Sequence, residues 1–253
     1  MYAFLNDYSL LFICVFLEHH SQNFTLYGHI SPPILKNILF VIKDNFGRDA
    51  SGPKAFVKFP SHVFKDFSPN GSLSIILNTL LNYAQEQNWN DFDLQHPSKR
   101  DAMMSALADM EKKLIAKGLL SWPKIVFHQA VPASKIAELT DIIYSHRGTV
   151  VDTIEEATHL VEWDDELDGS THISGDEEYI RTVQVQTGVD SCEALVHWWY
   201  YPDSYDEWVP LADLDCSDPP GVNVVALKGT RKWRVCCRYV VDVKCFNEWV
   251  RFP

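Results

Sequence analysis

The sequence predicts an α+β protein with several domains, in which a helical domain precedes an α/β sandwich that carries an inserted small β-barrel. Three observations predict this. Residues 31–120 have the apolar periodicity of amphipathic helices, the pattern changes to strand, helix, strand and strand after residue 123, and residues 195–209 read as a β-hairpin. The length of 253 residues permits one large domain or two to three small ones, and 46% hydrophobic residues are enough to fill their cores.

The helical domain is predicted from three apolar stripes. Pro32-Pro33 opens a helix that ends before Gly47, a second helix runs from about Leu73 to Gln87, and a third runs from about Asp101 to Gly118. Three helices with apolar faces must bury them against one another. Residues 1–30 carry no interpretable pattern and stay unassigned.

The sandwich begins with a short apolar strand at Lys124–His128. Ser134 is a candidate cap for the following helix, and Gly148 is expected to end it. Residues 149–151 and 158–163 then read as strands. A late strand at residues 235–241 precedes a final helix that contains Phe246 and Trp249.

The segment Val196–Val209 carries seven aromatic or imidazole rings within fourteen residues. Two short strands flank a turn at residues 202–204, as expected for a hairpin of a small barrel. So many rings indicate either recognition chemistry or an aromatic core.

The order Val-His-aromatic followed by Asp-Glu-Trp-Val resembles the chromo-barrel relatives of the chromodomain. The resemblance implies a candidate methyl-lysine cage of Trp198, Tyr201 and Tyr205, with Trp208 packed in the barrel core. Such a cage binds an ammonium group against π faces, at about 0.5 to 2 kcal/mol per contact. The alternative is that these rings simply fill a barrel of about forty residues. The family's turn Gly and Trp are replaced by Tyr200 and Tyr201.

The segments on either side of the predicted barrel carry a second resemblance. Ile125-Val-Phe, His146-Arg-Gly-Thr-Val and Thr158-His-Leu-Val resemble a BRCT domain, whose late strand and last helix occur here only after the hairpin. We therefore expect a BRCT-like domain within residues 121–253, formed by residues 121–168 and 230–253, with a chromodomain-like insertion at residues 176–216. Acidic, glycine-bearing and proline-rich stretches suit the junctions.

Several longer strings resemble the N-terminal module of SMARCC/Moira core subunits of SWI/SNF chromatin remodellers. They are residues 67–73 (FSPNGSL), 88–98 (NWNDFDLQHPS), 146–150 (HRGTV), 197–208 (HWWYYPDSYDEW) and 246–249 (FNEW). The resemblance implies a MarR-like winged-helix region at residues 31–120, a BRCT-type domain and a chromodomain. It also implies a nuclear, non-catalytic scaffold in an ATP-dependent remodelling assembly that regulates transcription, with other SWI/SNF subunits as partners. The SWIRM, SANT and coiled-coil segments of that family have no counterpart in these residues.

The charge of the chain restricts its partners. Thirty-four acidic and twenty-two basic residues give a formal charge of -12, which opposes a general nucleic-acid clamp. Residues 152–218 hold nineteen Asp or Glu and one Arg, whereas residues 219–253 are basic. The acidic stretch is either a solvated face or a surface for a basic partner such as a histone tail.

Catalytic and metal-binding patterns are missing from the sequence. It lacks a G-x-S-x-G elbow, a phosphate-binding loop and an H-E-x-x-H pair, so no enzyme and no cofactor are predicted, although an unrecognised hydrolase stays a third alternative. Residues 164–175 imitate a calcium loop but end in Gly175 where a bidentate Glu is needed. Six scattered cysteines suit packed thiols rather than a zinc site or a disulfide scaffold.

Neither DNA nor membrane is an expected partner. The basic residues near the third helix are offset by Asp101, Asp109 and Glu111, which predicts weak or no DNA binding by this module; they are Lys99, Arg100, Lys112, Lys113 and Lys117. The apolar run at residues 10–17 is much shorter than the roughly 18 residues that span a bilayer.

Overall fold

The structure, a computed structural model, describes residues 45–47, 56–60, 62–66, 68–89, 97–163, 180–187, 192–199, 204–213, 225–226 and 232–250. The chain divides into two compact units. The first contains the described residues between 62 and 120. Residues 46–47 and 56–60 belong to the second unit, together with the described residues after 120.

The first unit is helical. It contains α1 (His62–Lys65), α2 (Ser72–Glu86), a 3-10 turn at Pro97–Lys99 and α3 (Arg100–Ala116). The predicted second and third helices are confirmed as α2 and α3, which pack against each other. Their apolar stripes supply the buried side chains of this unit, among them Ile76, Leu77, Leu80, Leu107, Met110 and Leu114. The helix predicted to begin at Pro32-Pro33 falls almost wholly outside the described residues.

Helix α2 is capped from six residues away. Its own N-cap residue, Gly71, has no side chain to cap it, and the Asp66 carboxylate accepts a hydrogen bond from the Ser72 N–H at 3.0 Å instead. A Cβ on Gly71 would lie 2.5 Å from Asp66 Oδ2, so glycine permits this approach. Asp66 also accepts from the Ser68 hydroxyl. The Asp66 carboxylate thus accepts a hydrogen bond from one of the backbone N–H groups that have no acceptor within the helix.

Asp66→Ala is expected to lower the unfolding free energy of the first unit by about 1 kcal/mol at pH 7. The hydrogen bonds from Ser68 and Ser72 hold the pKa of Asp66 below its ordinary value of 3.8. Its contribution is therefore present above that ordinary value and is lost as the pH falls through the lowered one. Urea denaturation of the two proteins between pH 7 and about pH 2 checks this. A difference that persists undiminished in acid would contradict the assignment.

The second unit contains a five-stranded sheet in the order β2-β1-β3-β8-β7. The strands are β1 (Lys124–Phe127), β2 (Thr149–Val150), β3 (His159–Glu162), β7 (Val225–Ala226) and β8 (Trp233–Cys236). Strands β2, β1, β3 and β8 run parallel, and β7 is antiparallel to β8. Strands β3 and β8 are neighbours although a second sheet lies between them in the sequence.

Two helices complete the core of this sheet. They are α4 (Ala133–Ser145) and α5 (Arg238–Phe246), and they pack against each other. Ile125, Val161 and Val235 are fully or almost fully buried at the middle of β1, β3 and β8, and Ile143 and Val243 meet them from the helices. Each of these three strands contributes one fully or almost fully buried apolar residue to the core, and in β1 that residue lies in the apolar run that predicted the strand.

Three predicted boundaries in this unit were wrong. One is the end of the final helix, because α5 ends at Phe246 and Trp249 lies beyond it. Ser134 does not cap α4, because the helix begins one residue earlier with Pro132 at the N-cap and no side-chain cap. The late strand predicted at residues 235–241 ends at Cys236, and α5 begins at Arg238. The reason is that Val240, Val243 and Phe246 are buried at helical spacing, a period that the run of β-branched residues conceals.

The second sheet of this unit is antiparallel and has the order β4-β5-β6. It consists of β4 (Ile180–Thr187), β5 (Cys192–Trp198) and β6 (Tyr205–Pro210). The predicted hairpin is confirmed by β5 and β6, which pair from Glu193↔Pro210 to Trp198↔Tyr205. Ala194, Leu195, Val196 and His197 are all buried, so both faces of the central strand are covered.

Trp208 does not lie in the core as predicted. Its side chain is 41% exposed, although its cross-strand partner Leu195 is only 4% exposed. The reason is position in the sheet, because β6 is an outer strand of the three and β5 takes the central place.

Among the described residues, no helix is long and apolar enough to cross a membrane.

Candidate functional site

The candidate methyl-lysine cage is only partly within the described residues. Trp198 is half-buried at the end of β5, and the backbone register places it directly opposite Tyr205 at the start of β6. Tyr201 lies outside the described residues, and only the backbone of Tyr205 is described. The structure therefore brings two of the three cage positions to adjacent strands and leaves the third untested.

The ring that follows Trp198 has a different role. Trp199 is 5% exposed and stacks on Phe246 of α5, with ring centroids 3.9 Å apart and an interplanar angle of 3°. The edge of His197 meets Trp199 at 4.9 Å, and His197 Nδ1 lies 2.7 Å from Asp206 Oδ1. Part of the ring-rich segment thus serves as a core contact between the hairpin and α5.

A polar cluster lies beside this stack. Ser204, in the turn before β6, donates to Glu248 Oε2 at 2.7 Å. Lys58 Nζ donates to Ser204 Oγ at 2.9 Å and lies 3.2 Å from Glu248 Oε2. Lys58 and Glu248 are mostly buried, with 19% and 13% of their side chains exposed. A buried charge needs a partner, and in this ion pair each charge compensates the other.

Asn247 fastens an early segment of the chain to this region. Its side-chain amide donates to the carbonyl oxygens of Phe56 at 2.9 Å and Gly47 at 3.2 Å. Its own carbonyl accepts from the Lys58 N–H. Asn247 has φ 51°, a left-handed conformation that ends α5 and that Asn tolerates better than most residues.

Trp249 connects the same region to the end of α4. Its indole N–H donates to the carbonyl oxygen of His146 at 2.8 Å. A Cβ on Gly148 would lie 3.1 Å from the Trp249 ring and 2.8 Å from Cγ2 of Ile143. We call the set of Lys58, Trp199, Ser204 and Phe246–Trp249 the hairpin junction, because it joins β5 and β6 to α5.

Gly148→Ala is expected to lower the unfolding free energy of the second unit by about 1 to 3 kcal/mol. The added methyl overpacks the space between Ile143 and Trp249, and the Ile143 carbonyl oxygen at 3.3 Å leaves little room to relax. Thermal or urea denaturation checks the effect, with Ala137→Gly on the exposed face of α4 as a control for ordinary helix propensity, expected to cost about 1 kcal/mol. A fully stable Gly148→Ala variant would contradict the packing described here.

The contacts described for the hairpin junction are packing and polar contacts within the protein. The ring stack, the Lys58–Glu248 pair and the Asn247 amide are all engaged with the protein itself. Within the part of the chain that the structure describes, no group of three or more His, Cys, Asp or Glu side chains could hold a metal ion. The imitation calcium loop at residues 164–175 is outside that part.

Two of the five basic residues near α3 have contacts with described neighbours. Lys113 forms an ion pair with Asp109 at 2.8 Å, and Lys99 lies 5.6 Å from the centre of the Trp89 ring. Lys112 and Lys117 are exposed on or after α3. The pairing on α3 is the offset that the sequence suggested, and it reduces the positive field available to a phosphate backbone.

Sequence reasoning missed most of the hairpin junction. No local pattern in the sequence marks Lys58, and the chromo-barrel resemblance points to Trp198 and Trp208 and not to Trp199. A signal was nevertheless present, because the strings YPDSYD and FNEW contain Ser204, Asn247 and Glu248, which the structure brings together. Strings recognised as family motifs are here the parts that hold the second unit together.

Comparison with known families matches residues 27–120 to the SWIRM-associated domain at the N-terminal. The match covers fewer than half of the 253 residues. This domain is found in SWI/SNF-type subunits such as those of the SMARCC group, families that are typically non-catalytic. The match indicates a subunit of a chromatin-associated complex, of SWI/SNF type or related to it, and implies a nuclear location.

Proposed function

We propose that this chain is a non-catalytic scaffold and interaction module of a SWI/SNF-type ATP-dependent chromatin-remodelling complex, acting in transcription regulation in the nucleus. The observation that carries the proposal is the SWIRM-associated match at residues 27–120. Further support comes from the SMARCC/Moira-like strings, two of which, YPDSYD and FNEW, meet in the hairpin junction.

The proposed architecture has three parts. Residues 31–120 form a MarR-like helical domain, residues 121–168 and 230–253 a BRCT-like domain, and residues 176–216 a chromodomain-like insertion. The placement of β8 beside β3 supports the insertion, because a strand from the second segment completes the sheet begun by the first. The antiparallel order β4-β5-β6 is what an inserted chromo-type sheet would require.

In this role the chain supplies surfaces, and ATP hydrolysis belongs to another polypeptide. Its partners are other SWI/SNF subunits, with little or no direct DNA binding by this module. The ion pair between Lys113 and Asp109 on α3 supports the second point. The junction contacts support the first, because a scaffold needs a rigid arrangement of its parts more than it needs reactive groups.

Affinity purification of the tagged chain from nuclear extract, followed by mass spectrometry, tests this proposal. We expect recovery of a remodeller ATPase together with its core subunits. Treatment of the extract with nuclease should leave that recovery unchanged, because the association is between proteins. Recovery of the bait without any remodeller subunit would contradict the proposal.

A second candidate function is a histone reader that binds methylated lysine through Trp198, Tyr201 and Tyr205. The direct pairing of Trp198 with Tyr205 favours it, because it brings two ring-bearing positions together at one end of the hairpin. Titration with methylated histone tail peptides tests it, using Tyr201→Ala to remove one cage position and Trp208→Ala as a matched control on an exposed ring. Absence of saturable binding below about 1 mM, a free energy near -4 kcal/mol, would remove the reader function.

A further inference from the structure

A cleft of about 190 Å3 opens at the N-terminal ends of the parallel strands in the second unit. Pro123 precedes β1, Thr158 precedes β3 and Trp233 begins β8, so the cleft lies at one edge of the five-stranded sheet. Rings make up much of its lining, namely Trp122, His159, Trp233, Tyr239 and Trp249. Trp198, the one candidate cage residue whose side chain the structure describes, is not part of the lining.

Three of the five rings of the cleft are held by contacts within the protein. The Trp249 indole donates to His146, the Tyr239 hydroxyl donates to the carbonyl oxygen of Val250 at 3.1 Å, and the His159 ring stacks on Tyr239 at 5.2 Å. Tyr239 and Trp249 are themselves buried, which makes them the floor. Because these three rings are already fixed, ligand binding loses little conformational entropy in ordering them.

The volume of the cleft restricts its occupant. Pockets for drug-sized molecules and cofactors usually measure about 300 to 1,000 Å3. A space of about 190 Å3 is too small for a nucleotide or a flavin. It suits one or two residues of a peptide, anchored against the rings.

The charges around the cleft favour a neutral occupant. The described residues that line it include no carboxylate, so a methylated or unmodified lysine would find no counter-charge there. An anion fits no better, because the Lys58 ammonium is already compensated by Glu248. Two of the remaining lining residues are Pro60 and Pro123, which add apolar surface.

We propose that this cleft binds a proline-containing extended segment of a partner protein. A proline ring is neutral and rigid, and segments in the polyproline II conformation dock on aromatic-lined grooves because little conformational entropy is lost. The proposal does not depend on the assembly role, since a peptide titration can succeed or fail whatever the chain copurifies with.

Nuclear magnetic resonance with the intact chain tests the proposal, with an acetylated peptide of eight prolines as the probe. We expect saturable shifts of the indole N–H signals of Trp122, Trp233 and Trp249 with a Kd below about 1 mM, and no shift of Trp208. Trp233→Ala should raise the Kd at least about tenfold. Trp208→Ala, the matched control, should leave it unchanged.

A second variant guards against loss of folding. Ser121→Arg adds a long side chain at the exposed rim and removes no ring, and it should weaken the peptide to the same extent as Trp233→Ala. Three outcomes overturn the proposal: no saturable shift up to several millimolar, shifts spread equally over Trp208 and the cleft indoles, or tighter binding of a trimethyl-lysine peptide at the same signals.

Discussion

Trp199→Ala is expected to lower the unfolding free energy of the second unit by about 3 to 5 kcal/mol, the range for removing a buried large aromatic side chain. Trp199 is 5% exposed, and its ring lies flat on Phe246. Its loss leaves a cavity between the hairpin and α5 and also removes the ring against which His197 packs. Urea denaturation followed by circular dichroism, with amide exchange in α5, measures the effect.

Trp208→Ala is the matched control, because it makes the same chemical change nine residues later on a side chain that is 41% exposed. We expect it to cost no more than about 1 kcal/mol, since exposed positions seldom contribute more. If the two variants lower the unfolding free energy equally, the Trp199–Phe246 stack contributes no more to stability than the exposed Trp208 does.

Asn247→Ala is expected to lower the same free energy by about 2 to 4 kcal/mol. The change removes two hydrogen bonds to the carbonyl oxygens of Gly47 and Phe56, each worth about 1 kcal/mol, and places an alanine in a left-handed conformation that costs about 1 to 2 kcal/mol. Amide exchange of residues 56–58 should rise more than exchange in β1, because the early segment depends on this residue. Denaturation and exchange on one sample provide both readouts.

Asn247→Gly separates the two causes. Glycine keeps the left-handed backbone without strain but lacks the amide, so its loss reflects the hydrogen bonds alone. We expect it to be about 1 kcal/mol more stable than Asn247→Ala. If the two variants are equally unstable, backbone strain plays no part; if both are as stable as the wild type, the early segment is not fastened by this side chain.

The sequence predicted local structure well in segments where a single hydrophobic period dominated. The stripes at Leu73–Leu80 and Met103–Leu114 match α2 and α3. The alternation of strand and turn residues around Asp203 matches β5 and β6. These elements follow from interactions within a few residues, which a single sequence contains.

What the sequence could not supply were contacts between distant positions. Asp66 caps α2 across an irregular turn, and Lys58 reaches Glu248 across 190 positions. Trp199 and Trp208 are the same residue type in the same hairpin, and only their place in the sheet makes one buried and the other exposed. Burial at this level depends on the partner surface, so periodicity alone assigns the wrong ring to the core.

These contacts bear on the proposed function. The motif residues Ser204, Phe246 and Asn247 hold the hairpin, α5 and the early segment together, and within the described residues they are engaged with the protein itself. A chain whose motif residues stabilise its own fold is suited to presenting fixed surfaces to other subunits. Tyr201 is a candidate cage position and is not one of the junction residues, so we expect Tyr201→Ala to leave assembly intact.

The most direct test of this account compares copurification by three tagged versions of the chain: wild type, Trp199→Ala and Tyr201→Ala. We predict that the wild type and Tyr201→Ala recover the remodeller ATPase equally, and that Trp199→Ala recovers much less because its framework is disrupted. Recovery that depends on Tyr201 but not on Trp199, or no remodeller subunits with any version, would contradict the account.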